Sequence, residues 1–408
     1  MYLMQTQPSK KILFYASSLV AGNVLGVGVL ALPIKSGIAG FFPALLSTVF
    51  VWLLMLVSAF VIVEKLPTEN KHFDIPSFFN AQLGKIGYWV AIICNLIILY
   101  GVIVAYLSGM TCLISSLVPP NFAGQWITLI YFLFVSSILI CKLRYLTKSN
   151  IVLILAIFIC FLLLVFSSTS HFNTHLLLQT NWKLAPLGLA VAVSAFHFHN
   201  IIPTVSHTLN KDKTATKKAI FIGVLIGLII NTTWLCIVTG TLHEMSVDHL
   251  SIASTYAHNL PATIPMAILL HSRIFITASM TFGVLAITAS YIANGRGLFG
   301  FIRDMTTKYF SMDNRFFVAL IAFLPPLIVT LIYPSIFLYM LDIVGGIGET
   351  ALFIILPAVI LMRMLRKKTE FKYQLANLFA YLMFLAGCFI FIFIVLEKFG
   401  VIHLNILK

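Results

Sequence analysis

Two histidines stand two residues apart in an otherwise largely apolar run, Ala195-Phe196-His197-Phe198-His199-Asn200-Ile201-Ile202-Pro203. Polar side chains at membrane depth are costly and usually functional. These imidazoles could hydrogen-bond a substrate or titrate near neutral pH and relay protons. A hydrogen bond between helices would explain them as well. A metal pair fits poorly, because a two-residue spacing places side chains on different faces of a helix.

Two carboxyl groups occur in a second apolar stretch, Asp342-Ile343-Val344-Gly345-Gly346-Ile347-Gly348-Glu349. Seven residues are close to two helical turns, so the spacing predicts that Asp342 and Glu349 share one face of a helix. A carboxyl group withdrawn from water can exchange protons near pH 7. Both acids are therefore candidate proton carriers, unless each is paired with a polar group of a neighbouring helix and only fixes the packing.

A third stretch, from Ala21 to Pro33, contains three glycines and a proline within thirteen residues. This composition is ill suited to an uninterrupted helix. Broken backbone at membrane depth exposes N–H and C=O groups that hydrocarbon cannot satisfy, so a break is confined to a place where it lines a cavity or binds something. The alternative is that Gly26 and Gly28 only allow close packing between helices.

The elements that must position these residues are membrane spans. Of the 408 residues, 60% are hydrophobic and only 9% are charged, whereas soluble domains carry about a quarter charged residues. The composition predicts an all-α polytopic membrane protein, since about twenty apolar residues cross a bilayer. Eleven spans are expected, at residues 12–34, 41–63, 88–118, 126–141, 150–168, 184–205, 219–241, 274–299, 316–332, 335–362 and 375–396.

The net charge of +14 does not indicate nucleic-acid binding, because the basic residues are sorted by loop. With a cytoplasmic N-terminus, all but five of the 26 lysines and arginines fall on cytoplasmic sides. The five exceptions are Lys35, Lys183, Arg273, Lys398 and Lys408. The positive-inside rule therefore predicts a multi-pass membrane protein with a cytoplasmic N-terminus. An odd number of spans places the C-terminus in the periplasm.

Interrupted spans at corresponding positions of two halves indicate an inverted repeat with a shared binding site. Here the interrupted spans are the first and the sixth. We therefore expect one transporter domain over residues 1–408, with repeat one at about 12–168, repeat two at about 184–362 and an extra helix at about 375–396. The segment 243–273, between the seventh and eighth spans, is expected to form a partly helical outer loop that acts as a lid.

Four segments together resemble one protein family over nearly the whole chain. They are the run from Gly22 to Pro33, the run from Phe196 to Pro203, Tyr100 with Tyr106-Leu107-Ser108-Gly109, and Phe323-Leu324-Pro325-Pro326 with Tyr333-Pro334. The family is the bacterial hydroxy/aromatic amino acid permeases of the amino acid–polyamine–organocation superfamily. The resemblance implies a LeuT-like fold with five plus five spans and an eleventh helix. It also implies proton-coupled uptake of tyrosine, tryptophan, serine or threonine across the bacterial inner membrane.

Two broken helices offer backbone groups that suit both charges of a zwitterionic amino acid. Its carboxylate suits free N–H groups at a helix N-terminus, and its ammonium suits carbonyls left open where a helix unwinds. Phe196 and Phe198 could stack on an aromatic substrate. The residues expected to bind substrate are Asn23, Val24, Leu25, Gly26, Val27, Gly28, Tyr100, Tyr106, Phe196, His197, Phe198, His199 and Asn200.

The coupling ion is expected to be a proton, with Asp342 and Glu349 as candidate carriers. Some proton-coupled relatives carry a lysine midway along the fifth span, and this chain has none at 150–168. Sodium is therefore an alternative. It would need oxygen ligands from the first break and from eighth-span hydroxyls such as Ser279 and Thr281, with Thr288 and Ser290 further along.

The leading expectation is a proton-coupled symporter of aromatic amino acids such as tyrosine or tryptophan, with no cofactor and no metal. Its partners would be a small amino acid and the lipid bilayer. The alternatives are sodium-coupled or exchange transport of serine, threonine or another small neutral amino acid, a channel, and a membrane-embedded enzyme using the paired histidines. The sequence has no nucleophile–base–acid set and no phosphate-binding Gly-x-x-x-x-Gly-Lys-Ser/Thr motif. These absences argue against an enzyme and an ATP-driven pump.

Overall fold

The computed structural model describes residues 9–67, 74–118, 124–140, 150–242, 251–366 and 370–402, and these residues are helical throughout apart from turns and connections. The α-helices are Lys10–Val24, Gly28–Gly37, Phe41–Lys65, Ile75–Ser115, Gly124–Ile140, Asn150–Ser168, Leu189–Ala195, Ile202–Thr208, Lys213–Thr239, Ile252–Ala257, Thr263–Leu270, Arg273–Phe310, Arg315–Ile332, Phe337–Ile343, Leu356–Leu365 and Phe371–Lys398. Short 3₁₀ turns cover Thr169–His171, Thr174–Leu178, Trp182–Gly188 and His199–Ile201, and a π-helix covers Val344–Ile355.

The chain is a multi-pass membrane protein. Within the described ranges, nine helices are long and apolar enough to cross a membrane, or ten if the bent pair at the N-terminus counts as one span. The predicted span at 126–141 corresponds to the shorter helix Gly124–Ile140. The total of eleven spans stays a prediction.

Polar residues just outside the apolar runs set where several helices begin. The Asp74 Oδ1 atom accepts a hydrogen bond from the Ser77 amide at 2.7 Å. The Asp212 Oδ1 atom accepts one from the Thr214 amide at 2.8 Å. These contacts satisfy amide groups that the first turn of a helix leaves without intrahelical partners. Asp74 and Asp212 thus lie just before the apolar runs that follow them.

The first span is interrupted where the glycines predicted it. Lys10–Val24 and Gly28–Gly37 are bent by 53° relative to each other. The helical hydrogen bonding of the first helix ends with the Leu25 amide, which donates to the Ala21 carbonyl. Two half-helices therefore meet end to end inside the protein, one presenting its C-terminus and the other its N-terminus.

The sixth span is also interrupted at the predicted place. Leu189–Ala195 ends at Phe196, and Ile202–Thr208 resumes after a 3₁₀ turn. Pro203 stands in the first turn of the second half-helix, where its missing N–H costs no intrahelical bond. The residues between the half-helices, Phe196 to Phe198, depart from helical geometry.

The two interruptions lie against each other at the centre of the bundle. A Cβ atom at Gly28 would overlap the Cα of Ala195, so only glycine permits this approach. On the opposite side of the first break, the Asn23 Nδ2 atom donates a hydrogen bond to Asn200 Oδ1 at 3.1 Å. The broken backbone of each span is thus enclosed by the other.

We call the end of the bundle that contains Lys10 the Lys10 end, and the opposite end, which contains Lys35, the Lys35 end. At the Lys35 end, the segment 251–270 forms the helices Ile252–Ala257 and Thr263–Leu270. The Ala262 amide donates to the Leu30 carbonyl at 3.0 Å, so this segment packs on the half-helix Gly28–Gly37. The expectation of a partly helical segment is confirmed for 251–270, and residues 243–250 lie outside the described residues.

The tenth span contains the π-helix Val344–Ile355 between two α-helical pieces. The Thr350 hydroxyl donates to the carbonyl of Gly345, five residues earlier, at 2.6 Å. Wider turns mean that seven residues no longer equal two turns. The prediction that Asp342 and Glu349 share one face was therefore wrong, and the two carboxyl groups meet different partners. A Cβ at Gly345 would overlap the carbonyl oxygen of Ala190, so this glycine lets the π-helix approach the sixth span.

Candidate functional site

A buried cavity of about 30 Å³ lies where the two breaks meet. The first, third, sixth, eighth and tenth spans all contribute to its walls. The lining residues are Asn23, Val24, Gly26, Val27, Gly28, Val102, Tyr106, Ser194, His197, Ser290, Asn294, Leu341 and Glu349. Typical ligand pockets measure roughly 300–1,000 Å³, so an amino acid would require the walls of this cavity to move apart.

A second cavity of about 270 Å³ adjoins the first and extends toward the Lys10 end. It lies between Lys10–Val24, Asn150–Ser168, Ile202–Thr208 and Arg273–Phe310, and both cavities share Asn23 and Ser290. These two cavities thus form adjoining spaces that extend from the first break toward the Lys10 end.

The strongest electrostatic feature of the central cavity is an acid–imidazole pair. The His197 Nδ1 atom lies 2.7 Å from Glu349 Oε1, and the two side chains are 13% and 1% exposed. One proton between these groups leaves the pair without net charge. A carboxylate this deeply buried would be costly without a counter-charge. The pair therefore places a carboxyl group and an imidazole in direct contact at the wall of the cavity.

Further polar groups of the wall come from the third and eighth spans. The Asn294 Nδ2 atom donates to the Tyr106 hydroxyl at 3.0 Å and to the Ser290 carbonyl at 3.1 Å. Ser290 also faces the first break, since its Oγ would lie 3.4 Å from a Cβ at Gly26. This cluster offers hydroxyl and amide groups that could hydrogen-bond a substrate.

The structure brings most of the sequence-predicted residues of the first break to the central cavity, together with Tyr106 and His197. Leu25 and Asn200 line the larger cavity instead. Glu349, predicted as a coupling residue, lies in the central cavity beside them.

Four of the residues predicted to bind substrate line neither of these two cavities. Tyr100 donates its hydroxyl to the Ile321 carbonyl at 2.7 Å and ties the third span to the ninth. His199 stacks on Phe353, with ring centroids 4.5 Å apart. Phe196 and Phe198 are completely buried in the core. The bend in the sixth span thus turns His197, rather than His199, toward the cavity.

Asp342 lies in a separate cluster at the Lys35 end. Its Oδ2 atom is 2.7 Å from Lys35 Nζ and 2.7 Å from Lys398 Nζ. The eighth-span candidates Ser279 and Thr281 donate their hydroxyls to the carbonyls of Ile276 and Thr277 in their own helix, as helical hydroxyls commonly do. The structure therefore does not bring Asp342, Ser279 or Thr281 to the central cavity. No group of three or more His, Cys, Asp or Glu in the described part of the chain could hold a metal ion.

Sequence reasoning missed Ser194 and Asn294 and did not pair the two lysines with Asp342. A signal for Asn294 was present, because Ser290 and Asn294 are four residues apart and so share a helix face. The partner of Asp342 had no such signal. Lys35, Asp342 and Lys398 are far apart in the sequence and meet only through the packing of three spans.

Comparison with known proteins identifies the family. The model of the tryptophan/tyrosine permease family matches residues 9–394. The chain is 27% identical over 367 residues to tyrosine-specific transport system 1 of Haemophilus influenzae, covering 87% of this chain and 89% of that protein. It is 26% identical over 426 residues to the low affinity tryptophan permease of Escherichia coli (strain K12), covering 97% of this chain and 100% of that protein.

A third relative is the tryptophan-specific transport protein of Haemophilus influenzae, 24% identical over 98% of this chain and 96% of that protein. The family model covers almost the whole chain, including both broken spans and the central cavity. The chain therefore belongs to the tryptophan/tyrosine permease family and is a transporter, not an enzyme.

Proposed function

We propose that this protein is a proton-coupled symporter that carries an aromatic amino acid, tryptophan or tyrosine, into the bacterial cell across the inner membrane. The observation that carries the proposal is the His197–Glu349 pair facing a cavity between two broken helices. The substrate class is supported by relatives named as tyrosine and tryptophan transport proteins.

The first break offers complementary groups for the two charges of an amino acid. The half-helix Gly28–Gly37 has no side chain capping its N-terminus, and the positive end of its dipole suits the substrate carboxylate. The half-helix Lys10–Val24 ends at the same place with carbonyl groups, which suit the ammonium. The glycines allow the substrate to approach this backbone closely.

The third and eighth spans would receive the substrate side chain. Val102 supplies apolar surface in the same cavity, and Tyr106, Ser290 and Asn294 supply hydroxyl and amide groups. A tyrosine or tryptophan side chain carries one polar group, a phenol hydroxyl or an indole N–H, on an otherwise apolar ring. The mixture of apolar and polar groups in this wall matches such a side chain. A site whose buried polar groups hydrogen-bond the substrate strongly rejects a related compound that lacks the matching group, because those polar groups are then left without a partner.

The paired residues also explain why a proton would accompany the substrate. Closing the cavity over an unprotonated pair would bury a carboxylate without a counter-charge, which is costly. Closure around the substrate is therefore favoured when the His197–Glu349 pair carries a proton. Opening toward the Lys10 end admits water, and both the proton and the substrate leave.

The placement of the two cavities supports alternating access. The segment 251–270 and the Asp342 ion pairs lie at the Lys35 end and would close it. The larger cavity extends toward the Lys10 end, which we assign to the cytoplasm from the distribution of basic residues. We assign the fold to the LeuT-like class, with inverted repeats at about 12–168 and 184–362. The antiparallel contact of the two broken spans supports this assignment.

The coupling proposal predicts a selective defect for Glu349→Gln. A glutamine amide does not take up and release a proton near neutral pH. Tryptophan accumulation driven by a proton gradient in liposomes should therefore fall to about the level at which the inside and outside concentrations are equal. Counterflow exchange of labelled tryptophan should continue, because it needs no net proton movement. Glu64→Gln is the matched control, since Glu64 is 42% exposed and pairs with Lys213 and Lys217 at the Lys10 end. Normal accumulation by Glu349→Gln would contradict the proposal.

The proposed substrate site predicts that tryptophan binding weakens as the side chain at position 26 becomes larger. An added Cβ meets only Asn23 O and Ser290 Oγ, both at 3.4 Å, so Gly26→Ala should keep most of its tryptophan binding. Gly26→Leu fills the cavity, and overpacking costs roughly 1–3 kcal/mol. Binding should weaken about five- to hundredfold, measured by calorimetry in detergent. Equal affinity of the leucine variant and the wild type would place the substrate elsewhere.

The orientation predicts that a C-terminal alkaline phosphatase fusion is active, because this reporter works only outside the cytoplasm. A matched fusion truncated after Leu209, between the sixth and seventh spans, should be silent. A silent C-terminal fusion that is well expressed would overturn the odd number of spans.

A further inference from the structure

A buried cluster of charged groups at the Lys35 end is not explained by substrate binding or proton coupling. One carboxylate oxygen, Asp342 Oδ2, lies 2.7 Å from two ammonium groups, Lys35 Nζ and Lys398 Nζ. The side chains of Lys35, Asp342 and Lys398 are 3%, 2% and 10% exposed. Lys398 Nζ also lies 2.8 Å from Glu397 Oε2, so the cluster contains two ammonium groups and two carboxylates. Because Glu397 alone would balance Lys398, the contact of both ammonium groups with one oxygen of Asp342 requires a reason.

The two cations belong to elements with different expected motions. Lys35 stands in the half-helix Gly28–Gly37, which contacts the segment 251–270 and which the proposed alternating access requires to move. Lys398 ends the helix Phe371–Lys398, which lies outside the two proposed repeats. Lys398 is also held in place by Glu397 at 2.8 Å and by the ring of Tyr339 at 4.5 Å.

Lys35 has an alternative contact of its own. Its Nζ atom lies 3.9 Å from the ring centroid of Tyr256, in the loop helix Ile252–Ala257. Opening of the Lys35 end separates this half-helix from Asp342 and brings its ammonium into water. Hydration then stabilises Lys35, whereas Asp342 remains among the side chains of the tenth span.

We propose that Lys398 is a resident counter-ion for Asp342, which keeps that carboxylate paired while Lys35 leaves and so permits the Lys35 end to open. Lys398 is thus a positioning residue that acts through Asp342 and does not touch substrate. This inference rests on the alternating-access transport proposed above.

The energetic reason is the cost of an isolated buried charge. Removing one partner of a buried ion pair is strongly destabilising, because the remaining charge is left without compensation. With Lys398 present, the loss of Lys35 leaves Asp342 with its second partner. Without Lys398, each opening would strand the carboxylate, and the closed form would be favoured.

A purely structural role makes a different prediction. If Lys398 only anchors the last helix, its removal lowers thermal stability whatever the charge at position 342. A counter-ion is needed only while Asp342 is charged. The dependence of the Lys398→Met defect on Asp342 therefore separates the two roles.

The test is exchange of labelled tryptophan and tyrosine by full-length protein in liposomes, with thermal unfolding measured on each variant. Lys398→Met should exchange substrate at least about tenfold more slowly than wild type, with little change in KM. Lys398→Arg should keep near wild-type exchange. In the double variant D342N/K398M, turnover should rise again, because a neutral amide needs no counter-ion when Lys35 leaves. Lys308→Met, an exposed lysine beside Tyr88, is the matched control.

Two results would overturn the inference while leaving transport intact. One is wild-type exchange rates for Lys398→Met. The other is slow exchange by Lys398→Met that D342N does not relieve, which would indicate an anchoring role. Wild-type protein that exchanges neither amino acid would contradict the proposed function, and this inference with it.

Discussion

Backbone that leaves the helical path inside a membrane must find its polar partners within the protein, because lipid offers none. The arrangement of this chain follows from that requirement. The first and sixth spans are both broken, and each break is enclosed by the other through the Gly28–Ala195 approach and the Asn23–Asn200 hydrogen bond. The surrounding spans exclude lipid from this junction. The cavity left between them combines exposed helix ends with polar side chains, which is the chemistry a zwitterion requires.

Buried charged groups, like the broken backbone, must find their partners within the protein. Glu349 meets His197 in the central cavity, and Asp342 meets Lys35 and Lys398 at the Lys35 end. The two acids stand seven residues apart in one span, and the π-helix that begins between them turns each toward a different element. In the proposed mechanism, the His197–Glu349 pair exchanges a proton with the cavity. The Asp342 cluster joins three helices, and the proposed opening of the Lys35 end separates one of them from the other two.

The sequence was sufficient to predict the parts of this structure that depend on local chemistry. Glycine and proline marked both breaks, and polar residues in apolar runs marked His197 and Glu349. The sequence did not predict which way the side chains near each break point. The face that a residue presents after a break depends on the irregular backbone of Phe196 to Phe198, and a uniformly apolar helix gives no periodicity from which to infer it. For this reason both histidines were expected to bind substrate, and the π-helix went unrecognised.

The central claim is that substrate and proton occupy the cavity together. The most direct measurement is the pH of a weakly buffered detergent solution of the purified protein, followed with an indicator dye while tryptophan or tyrosine is added. The account predicts that the solution becomes more alkaline in proportion to the substrate bound, because the His197–Glu349 pair takes up a proton as the cavity closes. Substrate binding, confirmed by calorimetry, with no change in pH on either side of neutrality would contradict it.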